Sequence, residues 1–281
     1  MEVVARREVL RDLCDDAREA GRTVGFVPTM GYLHEGHLSL VRRARRENET
    51  EVVSIFVNPL QFGPGEDLVT YPRDLDRDLA VLKEEEADLV FTPAAEEMYP
   101  SGEALVTVDP GELGQRLEGA ARPGHFRGVC TVVAKLFGIV GPCRAYFGEK
   151  DAQQLAVVRS MVRELAMPVT VLGCETVREA DGLAMSSRNV ALSAEERQAA
   201  LCLSEALFAA RDLAREGERD GHVLRAEMAK RIGAEPLARI DYVAAVDERT
   251  FDEIDALEGP ARALVAARVG GTRLIDNVRI A

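Results

Sequence analysis

His34 and His37 stand three residues apart in the segment Val27-Pro-Thr-Met-Gly-Tyr-Leu-His-Glu-Gly-His37-Leu-Ser-Leu-Val41, where a strand-like run, a glycine turn and a helix start follow in that order. That order makes a phosphate-binding position. Gly31 lets backbone approach a ligand closely, and a helix opening near Gly36 presents unpaired amides carrying about half a positive charge. Imidazoles three apart share one face of a helical turn, so both can donate to one triphosphate. The plainer reading, two solvated polar residues, loses weight because the chain has only four histidines and two of them meet beside the glycine turn. A metal pair is a further reading, but the spacing is not that of H-E-x-x-H and no third ligand stands nearby. As a surface residue, His37 is expected to be replaceable by alanine with little change in melting temperature.

Neither a G-x-x-x-x-G-K-[ST] loop nor a G-x-G-x-x-G fingerprint occurs, so the histidine turn has to replace them. Gly148-Glu-Lys-Asp151 follows the strand-like Ala145 to Phe147 and precedes a helix beginning near Ala152; Lys150 can there reach phosphates, although Asp151 with Gln154 also makes an ordinary helix cap. The segment from Arg178 to Asn189 is small, polar and flexible, and its Ser186, Ser187 and Arg188 can clamp phosphate oxygens or simply form a loop. Asn58-Pro-Leu-Gln-Phe62 follows another strand-like run, placing Gln61 where an amide can orient a carboxylate or close a turn.

The elements that must position these residues alternate. Apolar runs at Val24 to Val27, Val52 to Val57, Leu89 to Phe91, Ala145 to Phe147 and Val169 to Leu172 are separated by helical periodicity, which implies a parallel α/β sheet. Val129 to Val140 has one apolar face and reads as a core helix. The Ser193-Ala-Glu-Glu196 capping box opens a helix reaching about Glu216, followed by a second helix and strand-like runs at Ile240 to Val246 and Ala263 to Val269, a second and smaller α/β domain. With 281 residues and 47% hydrophobic content the chain can bury a large core. A net charge of −13 disfavours a nucleic-acid partner, no run is long enough to span a membrane, and the start lacks a signal-peptide core, so a cytoplasmic address is expected. Five scattered cysteines read as reduced, mostly buried thiols.

Together these residues resemble the pantothenate synthetases, pantoate–β-alanine ligases of the H-x-G-H nucleotidyltransferase superfamily. The likeness runs from P-T-M-G-Y-L-H-E-G-H through F-V-N-P-L-Q-F-G, Y-P-R-D-L-D-R-D, H-F-R-G-V-C-T-V-V-A-K-L-F, G-E-K-D-A-Q-Q-L and R-E-A-D-G-L-A-M-S-S-R-N to V-G-G-T-R-L-I-D-N, covering nearly the whole chain. H-x-G-H alone marks the superfamily; its combination with P-L-Q-F-G, G-E-K-D-x-x-Q and A-M-S-S-R-N marks the family. The resemblance implies an ATP site over Met30, Gly31, Tyr32, Leu33, His34, Glu35, Gly36 and His37, with His37 as catalytic histidine, and His34 and Lys150 assisting. It implies that Gly148, Glu149, Lys150, Asp151, Met185, Ser186, Ser187 and Arg188 complete the nucleotide site and that Val177 contacts adenine. Gln61 and Gln154 would hold (R)-pantoate, Gln61 would border the β-alanine site, and Asn58 would support them.

The implied fold is an α/β one: a Rossmann-like parallel sheet with helices on both faces over residues 1–175, and a smaller C-terminal domain, residues 176–281, closing over the active site. A homodimer is the implied assembly. Mg2+ is the implied ion, and the run Asp74, Asp76 and Asp78 resembles a region linked with it in relatives, but Arg77 interrupts the run and the metal ligands stay unassigned. Tyr32 stands where relatives usually carry alanine, which should alter packing and not chemistry. The implied reaction condenses (R)-pantoate with β-alanine through a pantoyl-adenylate, releasing pyrophosphate and AMP. A nucleotidylyltransferase of the same superfamily and a non-catalytic nucleotide-binding protein are the alternatives.

Overall fold

The computed structural model describes residues 1–64 and 66–281. Strands β1 (Glu2–Val4), β2 (Val24–Thr29), β3 (Thr50–Ile55), β4 (Leu89–Phe91), β5 (Cys143–Gly148) and β6 (Val169–Cys174) alternate with helices α1 (Arg7–Glu19), α2 (Glu35–Glu47), α3 (Leu75–Glu84), α4 (Ala95–Met98), α6 (His125–Val140) and α7 (Ala152–Glu164); α5 is the short helix Glu118–Ala121. Beyond them lie α8 (Ala194–Arg215), α9 (Gly221–Gly233) and strands β7 (Ala238–Asp247), β8 (Ala261–Val269) and β9 (Thr272–Arg279). The chain forms two compact units. The first comprises Met1–Gln115, Arg122–Glu149 and Gln154–Glu175, and the second Arg116–Ala121, Lys150–Gln153 and Thr176–Ala281.

The first unit is a six-stranded, all-parallel sheet in the order β1-β4-β3-β2-β5-β6. Parallel neighbours need crossover helices, and those helices cover both faces, which is why the strands read as continuous apolar runs. Phe26, Val52, Phe91 and Ala145 pack with Leu10 of α1, Val129 of α6 and Leu155 of α7. Their chain neighbours Val27, Val53, Val90 and Tyr146 pack with Leu40 and Val41 of α2 and Leu82 of α3. From β2 the chain moves outward to β3 and β4, then crosses to β5 and β6 on the other side of β2. The reversal falls between β2 and β5, and ligands of open α/β sheets bind beyond the carboxyl ends of the strands at such a switch point.

The second unit packs α8 and α9 on an antiparallel sheet, β7-β8-β9, around Leu203, Leu207, Leu224, Met228, Ala263 and Val265. α8 starts on the capping box expected at Ser193: its hydroxyl accepts from Glu196 N at 3.2 Å, and the Glu196 carboxylate accepts from Ser193 N at 2.8 Å. Arg273 of β9 forks onto Glu118 at 2.6 and 2.8 Å, and Gln153 bonds Arg116 O and Glu118 N, so two short segments distant in sequence belong to this unit.

Two strands escaped the sequence reading. β1 lies in a segment of alternating charge, and β9 reads Thr-Arg-Leu-Ile-Asp-Asn-Val-Arg. β3 starts two residues earlier than expected and takes in the buried Glu51. All five cysteines are buried and free, and burial pushes the Cys130, Cys143 and Cys202 thiols up to about 12, which keeps them protonated and unreactive at neutral pH. No helix among the described residues is long and apolar enough to cross a membrane.

Candidate active site

Between the end of β2 at Thr29 and the start of α2 at Glu35 the chain reverses tightly. Thr29 Oγ1 donates to Ser54 O at 2.8 Å and accepts from Gly31 N at 3.2 Å, pinning the turn to the sheet. Gly31 has φ +82°, and a Cβ there would lie 3.0 Å from both Asp78 Oδ2 and Ile55 Cγ2, so the position demands glycine. Tyr32 follows with φ 51°, a left-handed conformation that costs a non-glycine residue on the order of 1 kcal/mol.

α2 opens on a cap built from two imidazoles. His34 is the N-cap, and its Nδ1 accepts from Gly36 N at 3.1 Å; His34 N in turn donates to His37 Nδ1 at 3.3 Å. A ring nitrogen that accepts carries no proton, so each neutral ring holds its proton on Nε2. The rings stack with centroids 4.1 Å apart. The backbone thereby selects one tautomer for both histidines and leaves Nε2–H as the donor edge of each, at a helix end that favours anions. This corrects the expectation that His37 is replaceable without cost to stability: alanine there removes half of the cap, a change of about 1 kcal/mol.

The turn is held from α3. Asp78, 1% exposed, accepts from Tyr32 N at 2.6 Å through Oδ2 and from Leu33 N at 2.7 Å through Oδ1. Arg77 donates to Leu33 O at 2.9 Å, and its guanidinium lies 5.0 Å from the Tyr32 ring centroid, which is where the bulk of Tyr32 is accommodated. Burial pushes the Asp78 carboxyl above its ordinary value, opposed by the two amides and by Arg77. Asp74 caps α3 by accepting from Arg77 N at 3.1 Å. Asp74 and Asp78 are therefore engaged by the protein, the run does not fit a magnesium site, and among the described residues no group of three or more His, Cys, Asp or Glu side chains can hold a metal ion.

After β3 the chain makes a single 3-10 turn, Pro59–Gln61. Asn58, 1% exposed, saturates its amide there: Oδ1 accepts from Tyr99 Oη at 2.8 Å and Leu60 N at 3.3 Å, and Nδ2 donates to Gln61 Oε1 at 3.1 Å and Gly128 O at 3.2 Å. Burial pushes the Tyr99 phenol up to about 12, so it remains a donor. Asn58 thus serves to hold Gln61. Gln61 Nε2 donates to the soft Met30 Sδ at 3.2 Å, a weak acceptor that a carboxylate or hydroxyl oxygen can replace. That contact brings Gln61 and the histidine turn together.

Two further residues emerge here to which the sequence reading gave no role. Gln61 O lies 2.8 Å from His125 Nδ1, and a carbonyl can only accept, so the His125 proton is on Nδ1; its Nε2 then accepts from Arg122 Nη1 at 3.2 Å. Arg122 also donates to Gln61 O at 3.3 Å and to Glu66 at 3.1 Å. The only sequence signal for His125 is the H-F-R-G-V segment, a histidine at a helix start; Arg122 lies three residues ahead of it.

Gly148 ends β5 beside the switch point, with Glu149 following in the first unit. The Gln154 side chain, half-buried on the first turn of α7, has no protein hydrogen-bond partner among the described residues, whereas that of its neighbour Gln153 is buried and engaged. The other expected residues lie in the second unit. Lys150 Nζ is 3.8 Å from Asp151 Oδ1. Residues 177–185 form a pinned hairpin, not the flexible loop expected: Met185 N donates to Val177 O at 3.0 Å, Arg178 bridges Ala184, and Arg197 ties Glu179 at 2.7 Å. Ser186 caps the 3-10 turn Ser187–Ala191 by accepting from Arg188 N at 3.3 Å, which uses a lone pair and leaves its hydroxyl hydrogen to donate.

The family model for pantoate-beta-alanine ligase matches residues 2–279. The chain is 54% identical over 277 residues to the pantothenate synthetase of Thermotoga petrophila, covering 99% of each, and 59% identical over 264 residues to that of Heliobacterium modesticaldum, covering 94% of this chain and 93% of the relative. Among solved structures, a pantothenate synthetase from Thermus thermophilus superposes with a TM-score of 0.93 at 52% identity, over 100% of this chain and 99% of that one. The pantoate-beta-alanine ligase from Francisella tularensis, complexed with beta-gamma ATP and beta-alanine, gives a TM-score of 0.83 at 33% identity, over 99% and 97%. Matched over nearly its whole length in sequence and in backbone, the chain belongs to the pantoate–β-alanine ligase family.

Proposed function

We propose that this chain uses ATP to join (R)-pantoate to β-alanine through a pantoyl-adenylate. The observation that carries this reading is the pair of imidazoles fixed as Nε2–H donors at the amino end of α2, beside the switch point of the sheet. A pantoate carboxylate oxygen attacks the α-phosphorus in line and pyrophosphate leaves. A carboxylate needs no general base, so the protein's task is positioning and neutralising charge on the phosphate oxygens. His34 and His37 are assigned to those oxygens, with Lys150, Ser186, Ser187 and Arg188 of the second unit assigned to the same nucleotide and Val177 to adenine. Gln61, held by Asn58 and His125, is assigned with Gln154 to pantoate. The amine of β-alanine then attacks the activated carbonyl and expels AMP. Magnesium enters this reading as the counter-ion that a bound triphosphate would bring, with no ligand assigned in the run Asp74, Asp76 and Asp78, because Asp74 and Asp78 are otherwise engaged. A cytoplasmic homodimer is the setting that the family resemblance supplies.

Carboxylate-labelled [18O]pantoate tests the chemistry. The adenylate route delivers one labelled oxygen to the phosphate of AMP with each pantothenate formed. Label appearing in inorganic phosphate, with ADP as the other product, would replace the adenylate by an acyl phosphate.

A further inference from the structure

The two polar residues that interrupt β9, Asp276 and Asn277, are 4% and 3% exposed, and the chemistry above gives them no role. Asp276 receives Arg178 in a two-point clamp, Nη1 to Oδ2 at 2.6 Å and Nη2 to Oδ1 at 2.9 Å. Arg178 also donates to Gly182 O at 3.0 Å and Asn277 O at 3.3 Å. Because Arg178 pairs with Ala184 across the hairpin, this clamp fixes the backbone from which Met185, Ser186, Ser187 and Arg188 emerge. One residue on, Asn277 Nδ2 donates to Lys150 O at 2.8 Å, while its Oδ1 accepts from the buried Arg262 guanidinium, which is itself anchored on Glu248 at 2.6 Å. All of these residues belong to the second unit.

We propose that Asp276 and Asn277 are positioning residues for two nucleotide-handling turns: Asn277 places Lys150 through its carbonyl, and Asp276 places Ser186–Arg188 through Arg178. One strand dipeptide then keeps both turns in a fixed relation, and a bidentate clamp resists rotation better than a single bond. The proposal rests on the assignment of Lys150 and Ser186–Arg188 to ATP.

Asn277→Asp puts an oxygen in place of Nδ2 and keeps the acceptor for Arg262. The readouts are the acylation rate of Lys150 by an amine-directed reagent, with and without ATP, and pantoate-dependent exchange of pyrophosphate into ATP. The variant is expected to lose ATP protection of Lys150 by about fivefold and exchange by about tenfold, the rate scale of one hydrogen bond, with the KM for pantoate unchanged. Arg178→Lys keeps the charge but not the fork, and should lower exchange while leaving Lys150 acylation as in the parent. Asp220→Ala removes the N-cap of α9 in the same unit, supplies a matched loss of stability, and should leave both readouts unchanged. Parent-like protection and exchange in Asn277→Asp, or equal losses in Asp220→Ala, would overturn the proposal. Absence of exchange in the parent protein would overturn the ligase reading instead, and the acylation rate of Lys150 without ATP would still read its placement.

Discussion

Each imidazole of the histidine turn has one nitrogen engaged by the backbone and one that carries the proton, so capping and chemistry can be separated by substitution. In His37→Asn the side-chain oxygen occupies the place of Nδ1, which retains the cap and deletes the Nε2–H donor. We expect pyrophosphate exchange to fall about a hundredfold, with a melting temperature within about 1 °C of the parent. His37→Gln reverses the losses: its amide nitrogen falls near the place of Nε2, and the cap is lost. More of the exchange should survive, while the melting temperature drops by about 2 °C, the scale of 1 kcal/mol in a chain of this size. Parallel thermal melts and exchange rates decide it, and equal activity losses in the two variants would deny the distinction between the nitrogens. The sequence contained the spacing of His34 and His37 and the need for Gly31, because both are local. It could not show that Asp78, 45 and 46 residues from its partners, holds the turn, so the run around Arg77 carried only a likeness to a metal-linked region and its ligands stayed unassigned.

At the scale of elements, the approach of α6 to the Pro59–Gln61 turn is closer than any side chain permits. A Cβ at Gly128 would lie 2.3 Å from Leu60 O, and the Gly128 carbonyl is itself an acceptor for Asn58. Gly128→Ala should cost about 2 to 3 kcal/mol by overpacking and should raise the KM for pantoate by moving Gln61, effects read by denaturant unfolding and by steady-state kinetics. A variant that unfolds like the parent would show that the close approach is not required. α6 and α8 were readable because apolar periodicity and a capping box are local signals, and the parallel strands because both of their faces are buried. β1 and β9 were not, since their polar residues break the pattern, and in β9 Asp276 and Asn277 are buried partners for distant turns. The hydrogen bonds of Asn58 to Gly128 and of Gln61 to His125 span 70 and 64 residues and leave no trace in a local window.

For the whole molecule, the topology of the first unit places the carboxyl ends of β2 and β5 at the switch point, and Glu51 in β3 makes stability depend on pH. Glu51 of β3 is fully buried, both of its carboxylate oxygens lack a partner among the described residues, and burial with the nearby Asp88 pushes its pKa from 4.5 up to about 8 against the pull of Arg45. A carboxyl raised in the fold favours the folded state at low pH; the contribution is full below about 4.5 and is lost as pH rises through about 8. Glu51→Leu should therefore raise the melting temperature at pH 8.5 and change it little at pH 4.5, within an upper bound of about 5 kcal/mol. An unchanged pH profile would show that Glu51 is not the source. The central claim, that the histidine turn binds a triphosphate whose α-phosphorus is attacked by pantoate, is tested most directly by following labelled pyrophosphate into ATP without β-alanine. We predict exchange that requires pantoate and magnesium and that nearly disappears in His37→Asn. Exchange that needs β-alanine, or none at all in a protein that still forms pantothenate, would contradict it.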